Sequence, residues 1–215
     1  MSRFVCRAHY GHTWTDKGTP PHSLGHQPLE AALQAFSDHG YDAMSVRLLN
    51  RDLGLSHGTV SQRFGPKHKL FEATVDWALK ELRDDPAFEQ HATFADDLDQ
   101  LNDMFYRFLL VSNHRPQIVR LIQHEATRKS SRLGYIAERF TVSILDDMAS
   151  CIDRLIAAGR VRPVDTRAIL LMLVFGATAP ITMPSLANHY GSQLVDSDEL
   201  AKTMADVLVS GVQHR

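Results

Sequence analysis

An all-α fold of about nine helices is what this sequence predicts, on three observations. Apolar residues recur at helical spacing in one segment after another. No stretch alternates apolar and polar residues as a half-buried strand would. Gly, Pro and Ser/Thr/Asp stand where helices would stop and start.

Residues 1–26 lack periodicity and carry Gly11, Gly18, Pro20, Pro21 and Gly25 among His9, His12, His22 and His26, which predicts a flexible arm. The first helix opens near Pro28, whose missing N–H would be unpaired in a first turn anyway. Leu29, Ala32, Leu33 and Phe36 form its apolar stripe, and Gly40 is the expected left-handed stop. Ser45 suits an N-cap for a second helix that buries Val46, Leu49 and Leu53. Gly54 makes a tight turn, Ser56 is the expected cap of a third helix, and Val60 and Phe64 face inward. Gly65-Pro66 ends that helix and starts a fourth, lined by Phe71, Val75, Ala78 and Leu82.

Longer amphipathic helices follow. Thr93 is placed to cap one carrying Phe94, Leu98, Leu101, Phe105 and Phe108. Beyond His114-Arg115-Pro116 comes a short helix with Ile118, Leu121 and Ile122. One long helix is expected through Leu133, Ile136, Phe140, Ile144, Met148, Ile152 and Leu155 to Gly159. Asp165 caps the next, with Ile169, Leu170, Leu173 and Val174, and the last starts at Asp196-x-x-Glu199 and carries Leu200, Met204, Val207 and Leu208. The division is an arm (1–26), a helix-turn-helix unit (27–70) and a larger bundle (71–215).

Charge and composition exclude several classes. The formal charge of -2 opposes a protein that coats nucleic acid with its whole surface, so any such affinity needs a local patch. No apolar run approaches the roughly 20 residues that span a bilayer. Arg3 and Arg7 are not followed by an apolar signal-peptide core, and the cysteines are Cys6 and Cys151, far apart. A reduced, cytoplasmic protein is expected.

A local patch exists. From Leu53 through Phe71 there is no carboxylate, while Arg63, Lys67 and Lys69 are basic. With Val60 and Phe64 inward, the third helix would present His57, Gly58, Thr59, Ser61, Gln62 and Arg63. Gln can pair bidentately with adenine, Arg with guanine, and Thr can touch the thymine methyl. Lys67 sits at a helix start, where free N–H groups also favour phosphate. Two short helices around a tight turn with this outward set are the grammar of a DNA-reading helix-turn-helix.

The run Phe36…Gly40-Tyr41…Ser45-Val46…Leu49…Gly54-Leu55-Ser56-x-Gly58-Thr59-Val60…Phe64-x-x-Lys67…Leu70 resembles the N-terminal domain of TetR-family transcriptional regulators over about 45 residues. The resemblance implies a homodimer that binds a pseudo-palindromic double-stranded operator and represses, until a small apolar or amphipathic effector enters the C-terminal bundle. Such a protein would be associated with the nucleoid when DNA-bound. It implies DNA contacts at Ser45, Arg47, His57, Gly58, Thr59, Ser61, Gln62, Arg63 and Lys67. The fourth helix, with Lys67 at one end and Phe71 and Val75 facing the bundle, would be the lever between ligand and DNA.

Three departures stand out. Ser61 replaces the family's usual Tyr, which contacts phosphate and packs. Asn50 replaces its usual Ala, and a buried Asn left without partners would cost on the order of 1–3 kcal/mol, so Asn50 should be hydrogen-bonded or partly exposed. His26-Gln27 replaces the basic residues before the first helix, which leaves Arg3 or Arg7 to reach a minor groove.

Cys6, His9 and His12 have metal-like spacing, but on an arm without a framework for about four ligands; neither metal nor cofactor is expected. His124-Glu125 with Arg128 lacks a catalytic partner, and no Gly-x-Ser-x-Gly elbow or phosphate loop occurs, so no enzyme is expected. Phe105, Phe108, Met148, Met172 and Phe175, with polar Tyr106, Gln123 and His124, are candidates to line an effector pocket; the other reading of the apolar ones is core packing. Leu170, Val174, Ala177, Met204, Val207 and Leu208 are the candidate dimer face.

Overall fold

Helix α1 spans Gln27–Ala43, with Pro28 in its first turn and Leu29, Ala32, Leu33 and Phe36 buried along one side. It breaks where expected: Gly40 takes φ 75°, and the Met44 N–H returns to the Gly40 carbonyl. Helices α2 (Val46–Asp52), α3 (Thr59–Phe64) and α4 (Lys67–Arg83) complete the head. The computed structural model describes residues 25–88, 94, 96–140, 145–189 and 197–213. The arm residues singled out above as Arg3, Cys6, Arg7, His9, His12 and His22 lie outside them.

The bundle begins with α5 (Asp97–His114), capped by Asp96, whose side chain accepts from Leu98 N at 2.8 Å. The expected cap, Thr93, lies outside the described residues. Helix α6 is Pro116–Ala126, again with proline in its first turn. In place of one long helix, the described residues hold α7 (Ser131–Phe140) and α8 (Asp146–Ala157), with 141–144 outside the description. Asp165 caps α9 (Thr166–Leu171) by accepting from Arg167 N at 2.9 Å. A π-helical turn, Met172–Ala177, continues it into α10 (Ala179–Thr182) and α11 (Pro184–His189). Helix α12 (Ser197–Val212) closes the chain against α5; its expected cap residue Asp196 is outside the description.

The fold is all-α. Among the described residues nine helices reach seven residues or more when α9 and the π-helical turn are taken together, and the extended pairing is a single bridge, Val161 with Gln213.

One core runs through head and bundle. Phe36, Leu70 and Phe71 belong to the same buried cluster as Leu101, Phe105, Phe108, Ile118, Met148 and Ile152. Phe71 meets Phe36 and Tyr41 edge-on, with centroids 5.1 and 5.5 Å away, a favoured aromatic geometry. Because α1 packs on both α4 and α6, the head is seated on the bundle rather than tethered to it.

Candidate nucleic-acid interface

Helix α2 starts at Ser45, extended at φ -117°, whose Oγ accepts from Leu48 N. The chain reverses at Gly54 (φ 66°), while the Leu55 N–H bonds the Asn50 carbonyl at 2.8 Å. The N-cap of α3 is Gly58, left-handed at φ 88°, and not Ser56 as expected. The Ser56 hydroxyl instead meets Thr59 Oγ1 at 2.7 Å, and Thr59 Oγ1 donates to the Ser56 carbonyl at 3.0 Å.

That shift corrects one reading. Thr59 is 7% exposed and its hydroxyl is spent on the turn, so it does not face outward. Side chains in a helix's first turn lean back toward its N-terminus, which here is the α2–α3 turn. Val60 is buried as predicted and Phe64 packs against the core, leaving Ser61, Gln62 and Arg63 exposed.

Asn50 is buried and hydrogen-bonded at both ends of its amide. Nδ2 donates to the Val46 carbonyl at 2.9 Å, and Oδ1 accepts from Val60 N at 3.1 Å.

On α2 and the turn before α3, Ser45, Arg47, Leu48, Arg51 and His57 line a surface groove of about 430 Å³. Arg51 and Leu48 were not selected from the sequence. The available signal was helical spacing: Arg51 follows Arg47 by one turn on the exposed side of α2, and Leu48 is an apolar residue off its buried stripe. Arg51 also pairs with Asp52 at 3.0 Å. Arg63 donates to the Gly25 carbonyl at 3.0 Å and lies 5.1 Å from the Phe64 ring, so α3 is tied to the start of α1.

Lys67 is placed differently from a free phosphate ligand. Its Nζ donates to the Asp42 carbonyl at 3.2 Å and sits 4.6 Å above the Tyr41 ring, whose ring also carries the Arg132 guanidinium at 4.0 Å. Burial lowers its pKa below the usual lysine range; the Asp42 charge opposes this and Arg132 adds to it. Helix α4 itself starts at Pro66 without a side-chain cap or an acidic residue in its first turn.

Among the described residues, the expected pocket residues take several different settings. Phe105, Phe108 and Met148 are fully buried core. Tyr106 donates to the Asp198 carboxylate, and that bond raises its pKa. Gln123 spends its Nε2 on the Val174 carbonyl (3.1 Å) and Thr178 Oγ1 (3.0 Å). His124 packs on Gly40, Phe175 is half-buried, and Met172 is 59% exposed, which corrects its assignment to the interior. A small apolar cavity of about 10 Å³ lies instead among Val75, Ala78, Leu79, Ile118, Leu121, Ile122 and Ile136. That is room for about one water.

The expected dimer-face residues divide, with Val207 the one among them that is exposed. Leu170, Val174 and Ala177 are buried in their own chain, and Met204 and Leu208 are half-buried. On α9, the π-helical turn and α12 the large apolar side chains left open are Leu171 (58%), Met172 (59%) and Val207 (60%), and Met183 and Leu186 are exposed nearby in sequence.

His124-Glu125 with Arg128 is a joint between α6 and its neighbours. Glu125 is wholly buried and accepts from Arg132 Nε at 3.0 Å, while Arg128 pairs with Asp42 at 2.7 Å. Among the described residues no three His, Cys, Asp or Glu side chains are grouped to hold a metal ion.

A helix-turn-helix head with an exposed, carboxylate-free third helix, seated on an all-α bundle, defines a class of DNA-binding regulators. Residues 29–74 match the family described as bacterial regulatory proteins, tetR family. The HTH-type transcriptional repressor AcnR of Corynebacterium efficiens is 39% identical over 56 residues, which cover 26% of this chain and 30% of AcnR. The uncharacterized HTH-type transcriptional regulator YhgD of Bacillus subtilis is 24% identical over 139 residues, covering 64% of this chain and 71% of YhgD. A tetR-family regulatory protein from Rhodococcus shares the fold at TM-score 0.70 and 18% identity, covering 90% of this chain and 98% of its own. HlyIIR, a hemolysin II transcriptional regulator, does so at TM-score 0.65 and 15% identity, covering 91% and 100%. Residues 29–74 thus match the tetR family, and the all-α fold is shared with solved tetR-family regulators over most of the chain.

Proposed function

We propose that the chain is a ligand-responsive repressor: a dimer that reads a pseudo-palindromic operator with two α3 helices and lets go when a small apolar or amphipathic molecule enters the bundle. The observation that carries this reading is the stretch from Leu53 to Phe71, free of carboxylates, in which Ser61, Gln62 and Arg63 are exposed beside a buried Val60. Gln62 and Arg63 read base edges; Ser45, Arg47, His57 and Ser61 bind phosphates, and Gly58 lets the backbone approach. Lys67 reaches a phosphate from its seat on Tyr41, and Thr59 serves the turn.

Dimerisation uses Leu171, Met172 and Val207, the apolar side chains left exposed on α9, the π-helical turn and α12. Two-fold pairing would place the recognition helices about 34 Å apart, one turn of duplex. Release is a population shift, in which a ligand favouring a different spacing weakens DNA binding by its differential affinity for the two arrangements. Contacts that join the bundle to the head support such coupling: Arg128–Asp42, Arg120–Asp38 at 3.7 Å, and His124 on Gly40. Among the described residues no helix is long and apolar enough to cross a membrane, and a cytoplasmic, chromosome-bound protein is part of this reading.

The test is anisotropy titration of a duplex enriched from a random pool, at several salt concentrations. Affinity should fall linearly on log–log axes with a slope set by the phosphates neutralised. Binding that ignores salt would refute the assigned phosphate contacts.

A further inference from the structure

Helix α3 is a weak helix by its own resources. It has six residues, its N-cap is a glycine without a side chain, and isolated helices this short do not hold in water. Its first N–H groups need acceptors from elsewhere. Thr59 N bonds the Ser56 carbonyl at 3.2 Å. The Val60 N–H is met by Oδ1 of Asn50, from the neighbouring helix.

The Asn50 amide can sit only one way. Its oxygen faces an N–H donor on Val60, and its nitrogen faces a carbonyl on Val46. Reversed, donor would meet donor and acceptor would meet acceptor. The amide therefore fixes α3 against α2 at a single point, buried and shielded from competing water. Two residues beyond Val60 is Gln62, whose direction follows from how that first turn is held; Arg63, one further on, shares that turn and is also tied to the Gly25 carbonyl.

We infer that Asn50 is the positioning residue of the recognition helix, a cap supplied across the turn that sets where Gln62 and Arg63 point. The inference rests on the DNA-reading function proposed above. It assigns a role to a buried residue, at a position where an alanine could make neither bond. Ser61, small and exposed, does not anchor α3 through packing; Val60 and Phe64 pack it, Arg63 ties its far end to the Gly25 carbonyl, and the Asn50 amide holds its first turn.

The experiment compares full-length wild type, Asn50→Ala and Asn50→Leu, the last keeping the branched side-chain shape without hydrogen bonds. Each selects duplexes from a random-sequence pool, and affinity for the wild-type motif is then measured on protein shown folded by circular dichroism. Losing a cap should weaken that affinity on the order of fivefold to tenfold. It should also flatten base preference at the Gln62 and Arg63 positions while the salt slope stays put, since the phosphate contacts are unchanged. A purely structural residue would lower the melting temperature and leave the motif of the folded fraction intact, and that result overturns the inference. If both variants unfold, amide exchange in wild type decides: Val60 N–H should be protected, and free exchange there overturns the inference. A wild type that enriches no motif, with Val60 still protected, refutes the DNA reading itself and takes the positioning role with it.

Discussion

A methyl group on residue 40 would have nowhere to go. Gly40 holds φ 75°, and a Cβ there would lie 2.2 Å from His124 Cε1 and 2.8 Å from its Nε2. Gly40→Ala should destabilise the protein by about 1–3 kcal/mol, from left-handed strain and the clash together. Adding His124→Ala should return part of that loss, which a double-mutant cycle of urea midpoints would read; strictly additive losses would contradict the contact. The glycine's role as a helix stop was legible from its place after the Leu29–Phe36 stripe. Its partner was not, because no local pattern announces that a distant histidine lies across it. Asn50 was half legible in the same sense: burial of an amide demands partners, but Val60 N as the acceptor's donor needed the turn geometry.

Among the elements, α7 is docked on α4 by polar contacts around Asp76. Tyr135 donates to Asp76 Oδ2 at 2.9 Å, Arg139 donates to Oδ1 at 2.8 Å, and the Arg139 guanidinium lies 3.5 Å from the Tyr135 ring. Burial first, then the Asp76 hydrogen bond, push the Tyr135 phenol up to about 12. An unfolded tyrosine ionises near pH 10. The folded state therefore favours the protonated phenol: its contribution is complete below about pH 10 and is lost as pH rises through about 12. Comparison with Tyr135→Phe cancels the titration of lysines. Wild-type stability should fall toward that of the variant between those two pH values in urea unfolding, and a constant difference would refute the assignment. Helix α9 shows where element-level reading runs out. Leu170, Val174 and Ala177 repeat at helical spacing, as do apolar residues beside them, and spacing cannot say which stripe meets the chain's own core. The π-helical turn at Met172–Ala177 also changes the register on which such a prediction depends.

For the whole molecule, the shared core makes the head and the bundle one packed body around α1, α4 and α6. The head was readable because its turns demand particular residues at fixed intervals, Gly54 and Gly58 at positive φ and Ser45 as a cap. The bundle was readable only as helices, since many apolar sequences fill the same interior. Its open apolar side chains predict the assembly: Leu171→Glu with Val207→Glu should give a monomer by sedimentation at micromolar concentration, with α-helical circular dichroism retained. A double variant that still sediments as a dimer would move the interface elsewhere.

The central claim is that α3 reads base sequence through Gln62 from an electrostatically anchored head. It is tested most directly by titrating wild type and Gln62→Ala against a wild-type-selected duplex and its single-base variants, across salt. The two proteins should share a salt slope, with the variant losing discrimination at one base position by about 1–3 kcal/mol. Identical discrimination by both proteins at every position, or no duplex binding by wild type at low ionic strength, would contradict it.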